Sequence, residues 1–320
     1  MGNCQIEKKY AIKGENGWST PYEYDKVWIG NFAKSVIGIK PSQKYCDTVE
    51  GYNAKDGKKL FCIDKSTGCS LEKNYVCIEK QNKKYYIFFD ENQKIVGPYN
   101  HVNGYEDYEI IVVGKDIKIK ENNEEKIKTF YGIYNLAGNR LLDVKYDEIR
   151  VFSDSIGMIS RKGKWGVFLH DCTPAIPVKY DDIMRCNSPA NLVKVYSKTD
   201  NKYGLIYLQP DEMSKIFDGI ALPVEYDDIT EEFFWNTDIF ITEKDSMYGI
   251  CNYKGEEIFS PVFDDLYWIP KTPFINVTIG DQHFYYNICS ETLFAQTCIK
   301  LCKGYYKYFD GKWHKVAYKK

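Results

Sequence analysis

Apolar residues along this chain come in short alternating runs or blocks, bounded by Gly, Asp, Asn or Pro, which is the signature of β-strands. Leu192-Val193-Lys194-Val195-Tyr196 reads as one strand, Ser197 to Asn201 as a polar turn, and Tyr203-Gly204-Leu205-Ile206-Tyr207 as the returning strand. The same strand-turn-strand pattern recurs from Met158-Ile159 to Val167-Phe168, and from Ile239-Phe240-Ile241 to Tyr248-Gly249-Ile250. A second hairpin turns at Ala137-Gly138-Asn139 and at Lys254-Gly255-Glu256. No segment keeps the i, i+3, i+4, i+7 apolar spacing of an amphipathic helix for three turns. The pattern therefore predicts an all-β chain of short antiparallel strands.

Sliding the chain on itself reveals a tandem repeat with two anchors per unit. Tyr131-Gly132-Ile133 leads to Lys145-Tyr146-Asp147-Glu148-Ile149, and Trp165-Gly166-Val167 leads to Lys179-Tyr180-Asp181-Asp182-Ile183. Tyr203-Gly204-Leu205 leads to Glu225-Tyr226-Asp227-Asp228-Ile229, and Tyr248-Gly249-Ile250 to Phe263-Asp264-Asp265-Leu266. The interval from the first aromatic to the second is 15 residues in three of these units. It is 23 in the unit starting at Tyr203, which places an insertion near Gln209 to Lys215. Weaker copies run from Tyr10-Ala11-Ile12 to Tyr24-Asp25 and from Tyr85-Tyr86-Ile87 to Tyr99-Asn100. Gly51-Tyr52-Asn53 resembles a unit with eroded anchors, and Phe284 to Ile288 opens a last one. About seven units result, giving a tail over 1–9, a repeat domain over 10–300, and a hairpin or cap over 301–320.

In these motifs the chain resembles the WG-repeat (KWG-repeat) family, in which a Trp-Gly or Tyr-Gly step precedes a Lys-Tyr-Asp-x-Ile stretch. Only Trp165-Gly166 keeps the Trp, and the region from Met1 to Phe61 is degenerate. The resemblance implies a bacterial, array-forming protein used for interaction, and it carries no catalytic residues to transfer. A small sheet cannot bury both faces alone, so neighbouring units must stack. The expected fold is a β-propeller-like series of WG-type repeats, with an open twisted β-array or solenoid as the alternative.

Composition agrees with strands. Of the 320 residues, 16% are aromatic, including 28 tyrosines, which suit a pleated half-buried surface. The net charge is −2 with both signs interspersed. The absence of a basic stripe argues against nucleic acid as a partner. No window of 18 apolar residues suggests a transmembrane helix, so no membrane partner is expected. The polar start, without an apolar leader region, reads as cytoplasmic. Met1-Gly2-Asn3-Cys4 invites lipidation, but Ile6 stands where the myristoylation pattern wants Ser or Thr. The 11 cysteines form no Cys-x-x-Cys pair and several lie in apolar strand runs, such as Cys77 and Cys251. They read as reduced core thiols.

Candidate chemistry is thin. The acidic pairs Asp147-Glu148, Asp181-Asp182, Asp227-Asp228 and Asp264-Asp265 could suggest acid–base or metal chemistry. They occupy the same place in every unit, however, and a catalytic site needs one asymmetric cluster; turn hydrogen bonding explains them better. The aromatic of the aromatic-Gly step is expected to fill the core between sheets, with Gly allowing close backbone approach or a bulge. His101, His170, His283 and His314 are scattered, and no phosphate loop, nucleophile elbow or zinc-protease motif occurs. No catalytic, cofactor or metal residue is assigned. The functional lean comes from aromatics just after the second motif: Trp28, Phe32, Phe152, Phe233, Phe234, Trp235, Tyr267 and Trp268. Of these, Trp28, Phe32, Phe233, Trp235, Tyr267 and Trp268 form the candidate ridge for a partner. The expected function is a non-catalytic scaffold for protein–protein interaction; the alternatives are a glycan- or small-ligand-binding module and an enzyme with a site in a propeller channel.

Overall fold

A computed structural model describes residues 9–317 apart from 15, 44–45, 122, 153–155, 170, 188–191, 209–218, 235–236, 253, 270, 295–298, 302–303 and 310–311. The described chain is all-β, with a single 3₁₀ turn at Glu106–Tyr108, and its small antiparallel meanders have the size and order of propeller blades. It divides into two compact units, one holding 1–162 with 168–173, the other 163–167 with 174–320.

The first unit opens with one continuous seven-stranded sheet: β1 (Lys26–Ile29), β2 (Ser35–Gln43), β3 (Cys46–Asn53), β4 (Lys59–Leu71), β5 (Tyr75–Lys80), β6 (Lys84–Phe89) and β7 (Lys94–Tyr99). It continues with a four-stranded sheet of β8 (His101–Tyr105), β9 (Ile110–Glu121), β10 (Glu124–Asn135) and β11 (Arg140–Tyr146). The pair β12 (Glu148–Val151) and β13 (Ile156–Arg161) follows. Ile87, Phe89, Tyr99, Ile111, Val113 and Tyr134 form a buried cluster drawn from the first two sheets, so they stack as the repeat requires.

The continuity of the first sheet departs from the expected series of separate small sheets. Strand β4 is 13 residues long. Its first half pairs with β3 and its second half with β5, with a register shift between Ser66 and Gly68. No Tyr-Asp step interrupts it, so the ladder runs through where other units break.

Residues 163–167, most of β14 (Lys164–Leu169), belong to the second unit, which resumes with β15 (Pro174–Tyr180). Two four-stranded meanders follow: β16 (Asp182–Arg185), β17 (Leu192–Ser197), β18 (Lys202–Tyr207) and β19 (Ile220–Tyr226), then β20 (Asp228–Phe234), β21 (Thr237–Lys244), β22 (Met247–Asn252) and β23 (Glu257–Phe263). A third is built from β24 (Asp265–Trp268), β25 (Phe274–Ile279), β26 (Gln282–Asn287) and β27 (Thr292–Phe294). The last sheet holds β28 (Ile299–Leu301), β29 (Gly304–Phe309) and β30 (Lys312–Val316). Leu192, Leu205, Leu222, Phe240 and Cys251 bury the seam between the first two meanders, and Ile239, Ile250, Phe263, Ile275 and Val277 the next.

The aromatic-Gly step follows from a bulge. At Tyr203–Leu205 and Tyr248–Ile250 the register with the following strand shifts, so the fourth strand arches over the glycine. A Cβ on Gly249 would lie 2.6 Å from the Phe259 carbonyl oxygen, and one on Gly204 2.9 Å from that of Leu222. Backbone cannot step aside as a side chain can, so only glycine fits. The accompanying ring sits at the border of the core rather than inside it: Tyr131, Trp165, Tyr203 and Tyr248 are half-buried, with Tyr203 and Tyr248 packed against the buried clusters. The second aromatic is buried, at Tyr24, Tyr99, Tyr180, Tyr226 and Phe263. Register pairs the two rings across the strands, Tyr203 with Tyr226 and Tyr248 with Phe263.

Candidate functional site

The acidic steps come first, because they carry most of the recurring charge. Asn100, Asp147, Asp181, Asp227 and Asp264 are each the single residue between the last strand of one sheet and the first strand of the next. The Asp147 N–H donates to the Ser160 carbonyl at 2.8 Å, Asp181 to Tyr196 at 2.9 Å, Asp227 to Glu243 at 2.7 Å, and Asp264 to Thr278 at 2.8 Å. Each crossover is thus tied to the second strand of the sheet it enters.

The carboxylates hold the neighbouring hairpin turn. Asp147 Oδ2 accepts the Lys162 N–H at 2.5 Å, Asp181 Oδ2 that of Lys198 at 2.7 Å, Asp227 Oδ2 that of Asp245 at 2.8 Å, and Asp264 Oδ2 that of Gly280 at 2.6 Å. Lysines take the other oxygen: Lys128 on Asp147 at 2.7 Å, Lys164 on Asp181 at 2.7 Å and Lys202 on Asp227 at 2.6 Å. Lys164 and Lys202 stand two residues before the step glycine, as Lys9, which pairs with Asp25, stands before Ala11. The lysine bond and then the backbone bond hold the Asp181 and Asp227 carboxyls below the usual range. The turn reading of these acids stands, and the lysine before the aromatic is the partner that the sequence reading left unassigned.

One polar cluster has no counterpart in the repeat. Both faces of β3 are covered: Val49 joins the core of Ile37 and Phe88, and Thr48, Glu50 and Tyr52 are buried on the opposite face, with Glu50 only 4% exposed. Its carboxylate accepts the hydroxyls of Tyr24 at 2.7 Å and Tyr52 at 2.9 Å, and Lys59 and Lys40 approach at 2.7 and 3.1 Å. Burial alone would raise its pKa, but these four partners hold it at about 2. The Tyr24 hydroxyl is pushed up, first by burial and then by its bonds to Tyr52 and Glu50. These bonds join β2, β3 and β4 to the segment around Tyr24, so the cluster fastens that segment to the sheet. The sequence carried no signal for it, because β3 is buried on both faces and alternation does not single out Glu50.

The candidate ridge residues lie on first strands or directly after them. Trp28 on β1 packs against the core of Ile37, Val49 and Phe88 and donates its indole N–H to the Glu72 carbonyl at 3.1 Å. Phe32 is 43% exposed, with the Lys34 ammonium 5.8 Å from its ring centre. Tyr267 and Trp268 on β24 are half-buried, and Trp268 packs against the core that contains Ile275 and Tyr286. Phe152 is half-buried too. Phe233 belongs to β20, whereas Trp235, like His170 and the insertion near Gln209, lies outside the described residues.

Beside β1 a cleft of about 550 Å³ opens in the first unit. Ile29, Ala33, Val36 and Ala54 supply an apolar floor, while Lys13, Lys34, Lys55 and the amides of Asn16, Asn53 and Gln93 supply the polar wall. Ile29 is 62% exposed. The cysteines contribute no reactive group there: burial pushes the thiols of Cys69, Cys172, Cys186 and Cys251 up to about 12. Cys62, Cys69, Cys77, Cys172, Cys186, Cys251 and Cys289 are free thiols. Among the described residues no group of three or more His, Cys, Asp or Glu could hold a metal ion.

No family model and no curated protein matches this chain. Solved structures similar to it include Hsv2p from Kluyveromyces lactis, at 12% identity over 84% of this chain and 95% of that one, with a TM-score of 0.26. The RRP9 WD40 repeats match at 12% identity over 80% and 87%, with a TM-score of 0.25. The β-propeller domain of Cps50 (Swd1) from Myceliophteria thermophila matches at 10% over 78% and 91%, with a TM-score of 0.23. At TM-scores of this size, the likeness carries no argument about what the chain binds or does.

Proposed function

We propose that this protein is a non-catalytic repeat scaffold of the WG-repeat kind, acting in the cytoplasm, that binds a partner protein through the face carrying β1. One observation carries the reading. Ile29 and Phe32 are exposed at and beside an apolar-floored cleft, whereas the acids recurring at the crossovers are occupied in holding sheets together. Exposed apolar side chains grouped at a concavity and rimmed by polar residues are what partner-binding surfaces share. Affinity capture from native cells with wild type and with an Ile29→Glu, Phe32→Ala double variant tests it. Both side chains are exposed, so the variant is expected to keep its circular dichroism spectrum and lose a partner that wild type enriches. Recovery of the same partners with both proteins overturns the reading of this face.

A further inference from the structure

In a repeat, what recurs is architecture, and a departure confined to one sheet points elsewhere. In four other sheets the aromatic-Gly ring, or its equivalent, faces a cross-strand neighbour that carries no ring. Tyr85 faces Glu79, Tyr131 faces Gly114, Tyr248 faces Glu243, and His283 faces Thr278. Nothing in the packing asks for a second ring there. In the sheet β16–β19 the neighbour is Tyr196, and its ring lies 4.7 Å from that of Tyr203 at 34°. The two rings border a depression of about 530 Å³, which Met184, Asp181, Asp182 and Lys198 complete.

From this geometry we infer that the depression is a carbohydrate subsite, which binds a neutral sugar ring against the Tyr196–Tyr203 pair. Its volume lies within the range of small-ligand sites. An aromatic face offers an apolar surface to the C–H face of a pyranose, and the rim offers both kinds of partner that hydroxyls need. Asp182 uses Oδ1 for the Ile183 N–H at 2.9 Å, and its second oxygen can accept a sugar hydroxyl. Lys198 is exposed and can donate. The Tyr196 hydroxyl donates to Asn201 Oδ1 at 2.9 Å, which leaves its oxygen as an acceptor.

Charge selects the ligand. The Asp181 carboxylate is already matched by Lys164, so Asp182 and Lys198 leave the depression near neutrality. An anion would meet two carboxylates. A cation would be repelled by Lys194, whose ammonium lies 4.2 Å from the centre of the Tyr203 ring, whereas a neutral ring would not. That ammonium is fixed by Asp228 at 2.8 Å and by the Ile229 carbonyl, so the ring is held in place before any ligand arrives. Met184, 42% exposed, adds an apolar rim that adapts to shape.

The experiment is native affinity electrophoresis in gels containing laminarin, dextran, xylan or galactomannan, followed by calorimetry with an oligosaccharide of the polymer that retards the protein. Wild type is expected to be retarded by at least one of these neutral polymers, with little change in high salt. Tyr196→Ala is expected to weaken the Kd by about tenfold or more, the scale of losing one well-packed aromatic contact, and Asp182→Asn by less. If Tyr196→Ala fails to fold, Tyr196→Leu keeps apolar bulk while removing the ring, and the same loss is expected. No retardation by any of the four polymers, unchanged affinity in the folded Tyr196 variant, or binding abolished by salt would each overturn the subsite.

Discussion

The seven-stranded sheet and the four-stranded meanders are made from the same repeat, yet they are held together differently. In the meanders the chain changes sheet through one acidic residue, and that residue ties the crossover with a backbone bond, a turn bond and a lysine. In the seven-stranded sheet β4 runs straight through, and the strongest polar fixture is the buried Glu50 with its two tyrosines and two lysines. Losing the periodic tie thus went with one concentrated network around a buried carboxylate. The lesson is energetic. Exposed ion pairs contribute little each and act by repetition, whereas a buried carboxylate is costly unless every partner is present.

The largest expected effect therefore lies at Glu50. Replacing it with Ala leaves Tyr24, Tyr52 and two lysines without their common acceptor, and chemical denaturation is expected to show a loss of about 3–5 kcal/mol. The same group sets an acid dependence. Its folded pKa of about 2 lies below the ordinary carboxylate value, so its stabilisation is fully present above that ordinary value and is lost as the pH falls toward 2. Glu50→Gln is expected to flatten the acid limb of the stability curve; an unchanged limb would assign that limb to other carboxylates.

Next in size is a pair of glycines. Gly249→Ala places a methyl against backbone, 2.6 Å from the Phe259 carbonyl oxygen, and is expected to cost about 1–3 kcal/mol. Gly51→Ala in the seven-stranded sheet meets the side chain of Phe61 rather than backbone and is expected to cost less. Equal losses would mean that the bulge over the step glycine is not what excludes side chains. The smallest effect belongs to a crossover. Asp227→Asn removes the charge facing Lys202 while keeping an acceptor for the Asp245 N–H, so its melting temperature is expected to fall less than that of Glu50→Gln. The reverse order would place the main electrostatic support in the repeated ties.

Much of this architecture was legible in the residues. Period-2 runs named the strands, and Gly138 and Gly255 marked turns that the backbone makes with φ of +82° and +78°. The acidic steps read as turn chemistry, and their carboxylates do bond the neighbouring turns. The ring of the first anchor lies at the border of the core rather than inside it, because alternation within one strand does not say which face a neighbouring sheet will cover. Tyr203 and Tyr226 are partners in register, yet only Tyr226 is sealed under the next sheet. Of the candidate ridge, Phe32 is exposed while Trp28 and Trp268 lean on the core, a distinction that no spacing encodes.

The sequence by itself determined the strand class, the repeat and the turn steps at Asp147, Asp181, Asp227 and Asp264, because these depend on local alternation and on single residues that force a turn or a bulge. Three things were decided only in the folded chain. The long β4 merged its neighbours into one sheet, Glu50 met partners from three strands and the Tyr24 segment, and Tyr196 came to lie against Tyr203. The first two depend on how several strands assemble, and the third on the register of one hairpin. Register is set by which apolar faces find cover, a property of the whole fold rather than of any window of residues.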